Sequence, residues 1–300
     1  MSGRMRRMVV TGREGQVARG LVERGAAGGR FEIVTLGRPA LDLAAPESLK
    51  AVLVESRPDV IVSAAAFTAV DQAEAEEALA AAVNGIAPGR IAAAAASLGV
   101  PVIHLSTDYV FDGAKDAPYR EDDPVAPLGA YGRTKLAGER AVAVSTENHV
   151  ILRTAWVYSP FGRNFLKTML RLAEGRDRIA VVADQTGNPT SALDIADGIV
   201  AVAENLLGSD APALRGTFHM TGGGEASWAD FAEAVFACSA ALGGPFAAVE
   251  RIPASAYPTP ARRPANSRLD CEKLAAVHGV RLGDWQAAVA ATVERLVAGA

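Results

Sequence analysis

Cysteine is scarce: Cys238 and Cys271 are the only two in 300 residues. They lie far apart and match no metal-ligand spacing, so the expectation is two reduced thiols, with a disulfide possible but unsupported. A sustained basic block is also missing, and the formal net charge is -4. That removes the electrostatic footprint of a nucleic-acid binder while leaving room for a local basic pocket that takes a phosphorylated substrate. Long apolar runs are missing as well. Arg4, Arg6 and Arg7 resemble the start of a signal peptide, but only Met8-Val9-Val10 follows before polar Thr11 and Gly12. The alanine-rich "IAAAAASLGV" is too short and too weakly apolar to span a membrane. No internal repeat or low-complexity tail is visible, and the expected setting is cytoplasmic, with no membrane partner.

Half of the residues are hydrophobic, enough for a large core and one or two domains. "RMVVT" (7–11), "FEIVTL" (31–36), "DVIVSAA" (59–65), "VIHL" (102–105) and "HVILRT" (149–154) have strand length and composition. Residues 16–24, 46–56, 73–99 and 131–145 carry apolar residues three and four apart, as helices do. This alternation predicts an α/β fold: a Rossmann-type, doubly wound parallel sheet covered by helices on both faces. After about residue 155 the pattern becomes irregular, broken by "SPFGRN", "DQTGNPTS" and "IPASAYPTPARRPANS". Residues 1–155 therefore read as a dinucleotide-binding domain to which a later segment, roughly 178–215, returns. Residues 156–300 read mainly as a smaller substrate-binding domain, with "FHMTGGG" a strand and turn and 227–241 and 284–298 helices.

"VVTGREGQVA" follows the first strand and opens the first helix, giving Gly12-x-x-Gly15-x-x-Ala18. Glycine lets backbone N–H groups approach a pyrophosphate, and a small third residue lets helix and sheet pack closely. The tip of the second strand, Leu36-Gly37-Arg38, lacks the carboxylate that would bind a ribose hydroxyl in an NAD-selective site. Arg38, with Arg13, has the charge to pair with a 2′-phosphate, so NADPH is expected, with NADH possible; surface charge is the alternative for either arginine. Asp42 either meets the adenine end or shapes a turn. Ala64, Ala65 and Ala66 close the third strand, where a flat ligand can lie against backbone or a helix can pack closely.

The fourth strand ends at Ser106-Thr107-Asp108, and the next helix opens with Tyr131-Gly132-Arg133-Thr134-Lys135. A free phenol, with a pKa of about 10, is a poor proton donor or acceptor at neutral pH. An ammonium one helical turn away can bring it closer to working range, and residues at i and i+4 share a face. Spacing alone fits an exposed amphipathic pair equally well. The order of glycine loop, Ser/Thr-ended strand and YxxxK favours a proton-transfer pair.

That combination resembles the extended short-chain dehydrogenase/reductase superfamily, and within it the dTDP-4-dehydrorhamnose reductase family. The runs that carry the resemblance are "RPDVIVSAAAFTAVDQAE", "STDYVFDG", "PYREDDP", "YGRTKLAGE", "LRTAWVY", "NFLKTMLRLA", "DQTGNPT" and "SAYPTPARRPANSRL", nearly the whole chain. The resemblance implies reduction of the C4 ketone of dTDP-4-dehydro-L-rhamnose to dTDP-L-rhamnose by a reduced nicotinamide cofactor. It implies that Tyr131 protonates the developing alkoxide, that Lys135 holds the ribose and lowers the tyrosine pKa, that Thr107 bonds the reacting oxygen, and that Asp108 touches the sugar. On the cofactor side it implies Gly12, Gly15, Gln16 and Val17 at the pyrophosphate, Asp42 and Leu43 near the adenine, and Ala66, Phe67 and Thr68 along the dinucleotide. For the dTDP-sugar it implies Trp156 beside the sugar, with Asn164, Arg262, Arg263 and Asn266 near diphosphate and base. Read without the resemblance, Trp156 belongs to a core and the arginines to a solvated turn. Some family members hold magnesium between subunits through glutamates; the corresponding positions here are Gly20 and Leu193, so no metal site is expected, and monomer and homodimer both stay open.

Two other readings keep parts of this pattern. A sugar-nucleotide dehydratase or epimerase of the same superfamily would keep the glycine loop and YxxxK, but dehydratases carry Thr-Asp-Glu where this chain has Tyr109 after Asp108. A non-catalytic subunit like the regulatory subunit of methionine adenosyltransferase would not require Thr107, Tyr131 and Lys135 together. His104, His149, His219 and His278 are scattered and read as core or surface.

Overall fold

The computed structural model describes residues 4–299. Five strands, β1 (Arg6–Thr11), β2 (Phe31–Leu36), β3 (Val60–Ser63), β4 (Val102–Thr107) and β5 (His149–Thr154), join Gly216–His219 in one six-stranded sheet. Every pair is parallel, in the spatial order Gly216–His219, β5, β4, β3, β1, β2. Successive residues point to opposite faces of a strand, so a sheet buried on both sides needs apolar residues at every position. Met8, Val10, Val60, Val62, Val150 and Leu152 enter one core, with helices Gln16–Gly28 and Ala192–Gly208. Val9, Ile61 and Ile151 enter the other, with Leu49, Leu53, Ile91 and Val142 from the opposite helical layer.

Helix Glu77–Leu98 has the length and apolar composition to cross a membrane, yet more than half of its apolar window is buried. It contains a widened π turn, Ala82–Ile86, around fully buried Asn84. A lone buried amide and a π turn both call for a local function.

A second core gathers Tyr158, Leu166, Met169, Ile179, Val181, Phe231, Val235, Trp285, Val289 and Val293. Its ribbon pairs Arg178–Val182 with Ala248–Ile252 in parallel. The return to the sheet expected over 178–215 is thus divided. Residues 178–182 belong to this second core, whereas Ala192–Gly208, Gly216–His219 and the buried Leu274 and Val280 pack with the sheet domain.

Candidate active site

The strand order reverses between β1 and β3: from β1 the chain goes to β2 at the sheet edge, then crosses back to β3 on the other side. Open α/β sheets bind ligands in the crevice at such a point, beyond the carboxyl ends of the strands. Here Thr11 Oγ1 accepts hydrogen bonds from the Ala64 and Ala65 N–H groups at 3.1 and 3.2 Å, pinning the two strand ends together. Gly12, at φ +101°, turns the chain away from β1, a conformation that a side chain disfavours. A cleft of about 1060 Å³ opens above, lined by Gly12–Ala18, Arg13, Arg38, Asp42, Ala64–Thr68, Ser106, Tyr131 and Lys135. Its size and its glycine-cradled helix terminus fit a nicotinamide dinucleotide.

Within the cleft Asp42 also shapes a turn, its Oδ1 accepting from Ala44 N–H at 3.0 Å. The Ala66–Thr68 turn is held by Asn84, whose Oδ1 accepts from Phe67 N–H at 2.8 Å and whose Nδ2 donates to Phe67 O and Thr134 Oγ1. Sequence reasoning missed Asn84; the signal available was a single amide inside the otherwise apolar "AAVNGIA". Gln16 lines the cleft but spends its carboxamide on the 157–164 segment. Its Oε1 accepts from Ser159 Oγ at 2.7 Å and Asn164 Nδ2 at 2.9 Å, and its Nε2 donates to Val157 O.

At the far end stand Tyr131 and Lys135, in the first turns of helix Ala130–Ser145. Gly132 between them has no side chain, and there the carbonyl of Tyr109 lies against the helix. That close approach brings the 107–110 turn onto Tyr131. The Thr107 hydroxyl lies near enough to the Tyr131 phenol to favour its anion, and the Tyr109 ring meets the Tyr131 ring edge-on at 5.7 Å. Thr107 Oγ1 donates to Asp108 Oδ1 at 2.8 Å and accepts from Tyr109 N–H. Asp108 is 2% exposed, and its buried Oδ2 has no hydrogen-bond partner. Burial pushes this carboxyl up to about 6.

Two features depart from expectation. Lys135 was expected to pull the Tyr131 pKa down, but the phenol is pushed up to about 12 by burial and then by the Asp108 charge. Lys135 instead turns towards the sheet, where Nζ donates to Leu105 O at 2.6 Å and lies 3.5 Å from His104 Nε2. Burial lowers its own pKa to about 8. His104 is completely buried beneath it, with Nδ1 3.1 Å from Ser63 Oγ, and burial holds its pKa well below the usual imidazole value. A core histidine was the expectation; its contact with Lys135 was not visible in the sequence.

Of the residues expected on the substrate side, Trp156 adopts φ +48°, unusual for a bulky residue, and stacks on Trp228 with ring centroids 3.6 Å apart. Such strain is held only where the surroundings dictate it, often at functional sites. Asn164 and Asn266 are fully engaged inside the protein. Asn164 Nδ2 donates to Gln16, Ser159 O and Phe161 O, and its Oδ1 caps helix Phe165–Ala173 through Lys167 N–H. Asn266 Nδ2 donates to Lys115 O and Ala117 O, while its Oδ1 accepts from Arg268. Arg262 is exposed. Arg263 pairs with Asp71 at 2.8 Å and interacts with the Tyr109 phenol. Gly20 packs against Ala192, where a Cβ would come within 2.8 Å of the Ala192 carbonyl oxygen.

Residues 5–298 match the family model described as the RmlD substrate binding domain. A dTDP-4-dehydrorhamnose reductase from Sinorhizobium fredii is 53% identical over 280 residues, covering 93% of this chain and 94% of the relative. The chain belongs to the dTDP-4-dehydrorhamnose reductase family. The crystal structure of the Clostridium acetobutylicum dTDP-4-dehydrorhamnose reductase has 36% identity and a TM-score of 0.89, covering 97% of this chain and 99% of that one. The Bacillus anthracis dTDP-4-dehydrorhamnose reductase, solved in complex with NADP, has 31% identity and a TM-score of 0.88, covering 96% and 99%. Membership in this reductase family accords with a parallel sheet whose switch-point crevice ends at a half-buried tyrosine and a buried lysine.

Proposed function

We propose that this chain reduces the C4 ketone of dTDP-4-dehydro-L-rhamnose to dTDP-L-rhamnose with NADPH, in a cytoplasmic setting. The observation that carries the reading is that one cleft runs from the glycine-cradled helix terminus to Tyr131 and Lys135. The reduced nicotinamide supplies the hydride. Tyr131 is the acid: with its pKa near 12 the phenol keeps its proton until negative charge develops on the ketone oxygen, and gives it up to that oxygen. Lys135, anchored by Leu105 O, holds the nicotinamide ribose hydroxyls at a fixed height. The unpartnered Asp108 Oδ2 accepts from a sugar hydroxyl, and Thr107 places its hydroxyl between Asp108 and Tyr131. Trp156 offers an aromatic wall to the sugar.

Tyr109 supports reduction over dehydration. Where an eliminating enzyme would need a second carboxylate beside Asp108, this chain has a buried phenol whose pKa is raised further by burial.

The test is to supply dTDP-4-dehydro-L-rhamnose with NADPH and follow nicotinamide absorbance. Tyr131→Phe should lower kcat by about 10²–10⁴-fold, the usual worth of a positioned general acid, with cofactor binding retained. No oxidation by the wild type, or a variant as fast as wild type, sinks the reading.

A further inference from the structure

The cleft has four lining cations, and three have a clear place in it. Lys135 is at the nicotinamide end, bonded to Leu105 O. Arg13 and Arg38 stand at the tip of β2; the Arg13 stem runs over Gly37, where a Cβ would come within 2.9 Å of it. The fourth, Arg163, comes from the second domain. It is exposed and forms no ion pair or side-chain hydrogen bond among the described residues.

Its loop is not free to wander. Ser159 Oγ and Asn164 Nδ2 both bond Gln16 Oε1, in the first turn of the helix that the glycine loop opens. Ser159 Oγ also accepts from Phe161 N–H, and Asn164 Nδ2 donates to the carbonyls of Ser159 and Phe161, so the loop is braced internally. Phe161 lies between the guanidinium groups of Arg19 and Arg295, 4.5 and 5.1 Å from its ring centre. Gly162 beside it comes so near that a Cβ would stand 3.7 Å from Gln16 Cγ. The 159–164 loop is therefore strapped across the start of helix Gln16–Gly28. A dinucleotide in this cleft brings two negative charges to that helix start, where the lining carboxylate Glu14 opposes them.

We propose that Arg163 is a diphosphate-binding residue for the cofactor, carried by a strap from the second domain that Gln16 and Asn164 hold in place. This rests on reading the cleft as a nicotinamide-dinucleotide site, not on which sugar is reduced. Guanidinium suits phosphate oxygens, and a cation brought in from the second domain makes cofactor binding sensitive to where that domain sits.

The diphosphate is common to NADPH and NADH, and that gives the test. Each cofactor is titrated against wild type, Arg163→Ala and Arg163→Lys by nicotinamide fluorescence, without sugar nucleotide. Arg163→Ala should weaken both by the same factor, about tenfold for one partly exposed charge-assisted contact, and Arg163→Lys should recover part of it. Unchanged affinities overturn the proposal. So does a loss confined to NADPH, which would move Arg163 to the 2′-phosphate, or one seen only when dTDP is the titrant, which would assign it to the sugar nucleotide. Normal cofactor titrations in a protein that reduces no dTDP-sugar would refute the functional reading and leave this one standing.

Discussion

The two sides of the cleft are built by different means. The cofactor side is mainly backbone architecture, parallel strand ends, a glycine turn and a helix start, pinned by a few side chains: Thr11, Asn84 and, reaching to the 159–164 loop, Gln16. The substrate side is assembled by side chains that reach across long stretches of sequence. Asn266 bonds carbonyls about 150 residues away, Asn188 Oδ1 accepts from Leu269 N–H, and Arg263 crosses to Asp71. A backbone site is as robust as its sheet, whereas a side-chain lattice fails one amide at a time.

The largest effect expected from that contrast is at Asn266. Asn266→Ala would leave the Lys115 and Ala117 carbonyls without their donor and Arg268 without its acceptor. Ala117 is exposed and Lys115 and Arg268 are half-buried, so water replaces part of what is lost, and stability should fall by roughly 3 kcal/mol. Denaturant unfolding measures the loss, and NADPH titration of the folded fraction should give a near-normal Kd. If cofactor affinity collapses together with sugar-nucleotide affinity, the two sides are not separately built.

Asp108 stands where the sides meet, and the second prediction concerns it. Its carboxyl rises from 3.8 to about 6 on folding, so the protonated form is the one the native state favours. The group therefore costs no stability below about pH 4, its cost grows as pH rises from about 4 to 6, and above that it stays constant. Asp108→Asn should stabilise the protein by about 2–3 kcal/mol at pH 7 and by almost nothing at pH 4, while lowering kcat. Thermal unfolding at the two pH values reads this directly. A variant that is less stable at pH 7 would mean that Asp108 serves the fold rather than the site.

The same contrast explains how much was legible in sequence. The five strands, the glycine loop and the Tyr131–Lys135 pair were readable because their determinants are local: β-branched runs, turn residues, a spacing of four. The family resemblance adds Thr107 and Asp108, which stand beside Tyr131. The resemblance places Asn164 and Asn266 near the ligand, and nothing in "GRNF" or "PANS" tells an amide that meets a ligand from one that meets the distant Gln16 side chain or the Lys115 and Ala117 carbonyls. The upward shift at Tyr131 was missed for a related reason. The helix shows Lys135 one turn away, but burial and Asp108, from another segment, determine the shift, and Leu105 O draws the ammonium towards the sheet. His104 looked like ordinary core because its partners, Ser63 and Lys135, come from elsewhere in the chain.

Arg13 and Arg38 give the smallest expected effect and the finest division of the cofactor side. Both line the cleft at the tip of β2, where Leu36-Gly37-Arg38 carries no carboxylate, although Asp42 lines the same cleft. A 2′-phosphate there would meet two guanidinium groups, each partly exposed and screened by solvent, so neither is worth a buried ion pair. Arg38→Ala should weaken NADPH by about tenfold, close to 1.4 kcal/mol, and leave NADH within twofold. The double variant with Arg13→Ala should make the two cofactors equivalent, and raised salt should narrow the wild-type preference in the same direction. This pattern is the opposite of the one expected at Arg163, where both cofactors weaken together. Equal losses of NADPH and NADH in Arg38→Ala would place Arg38 on the part of the molecule they share.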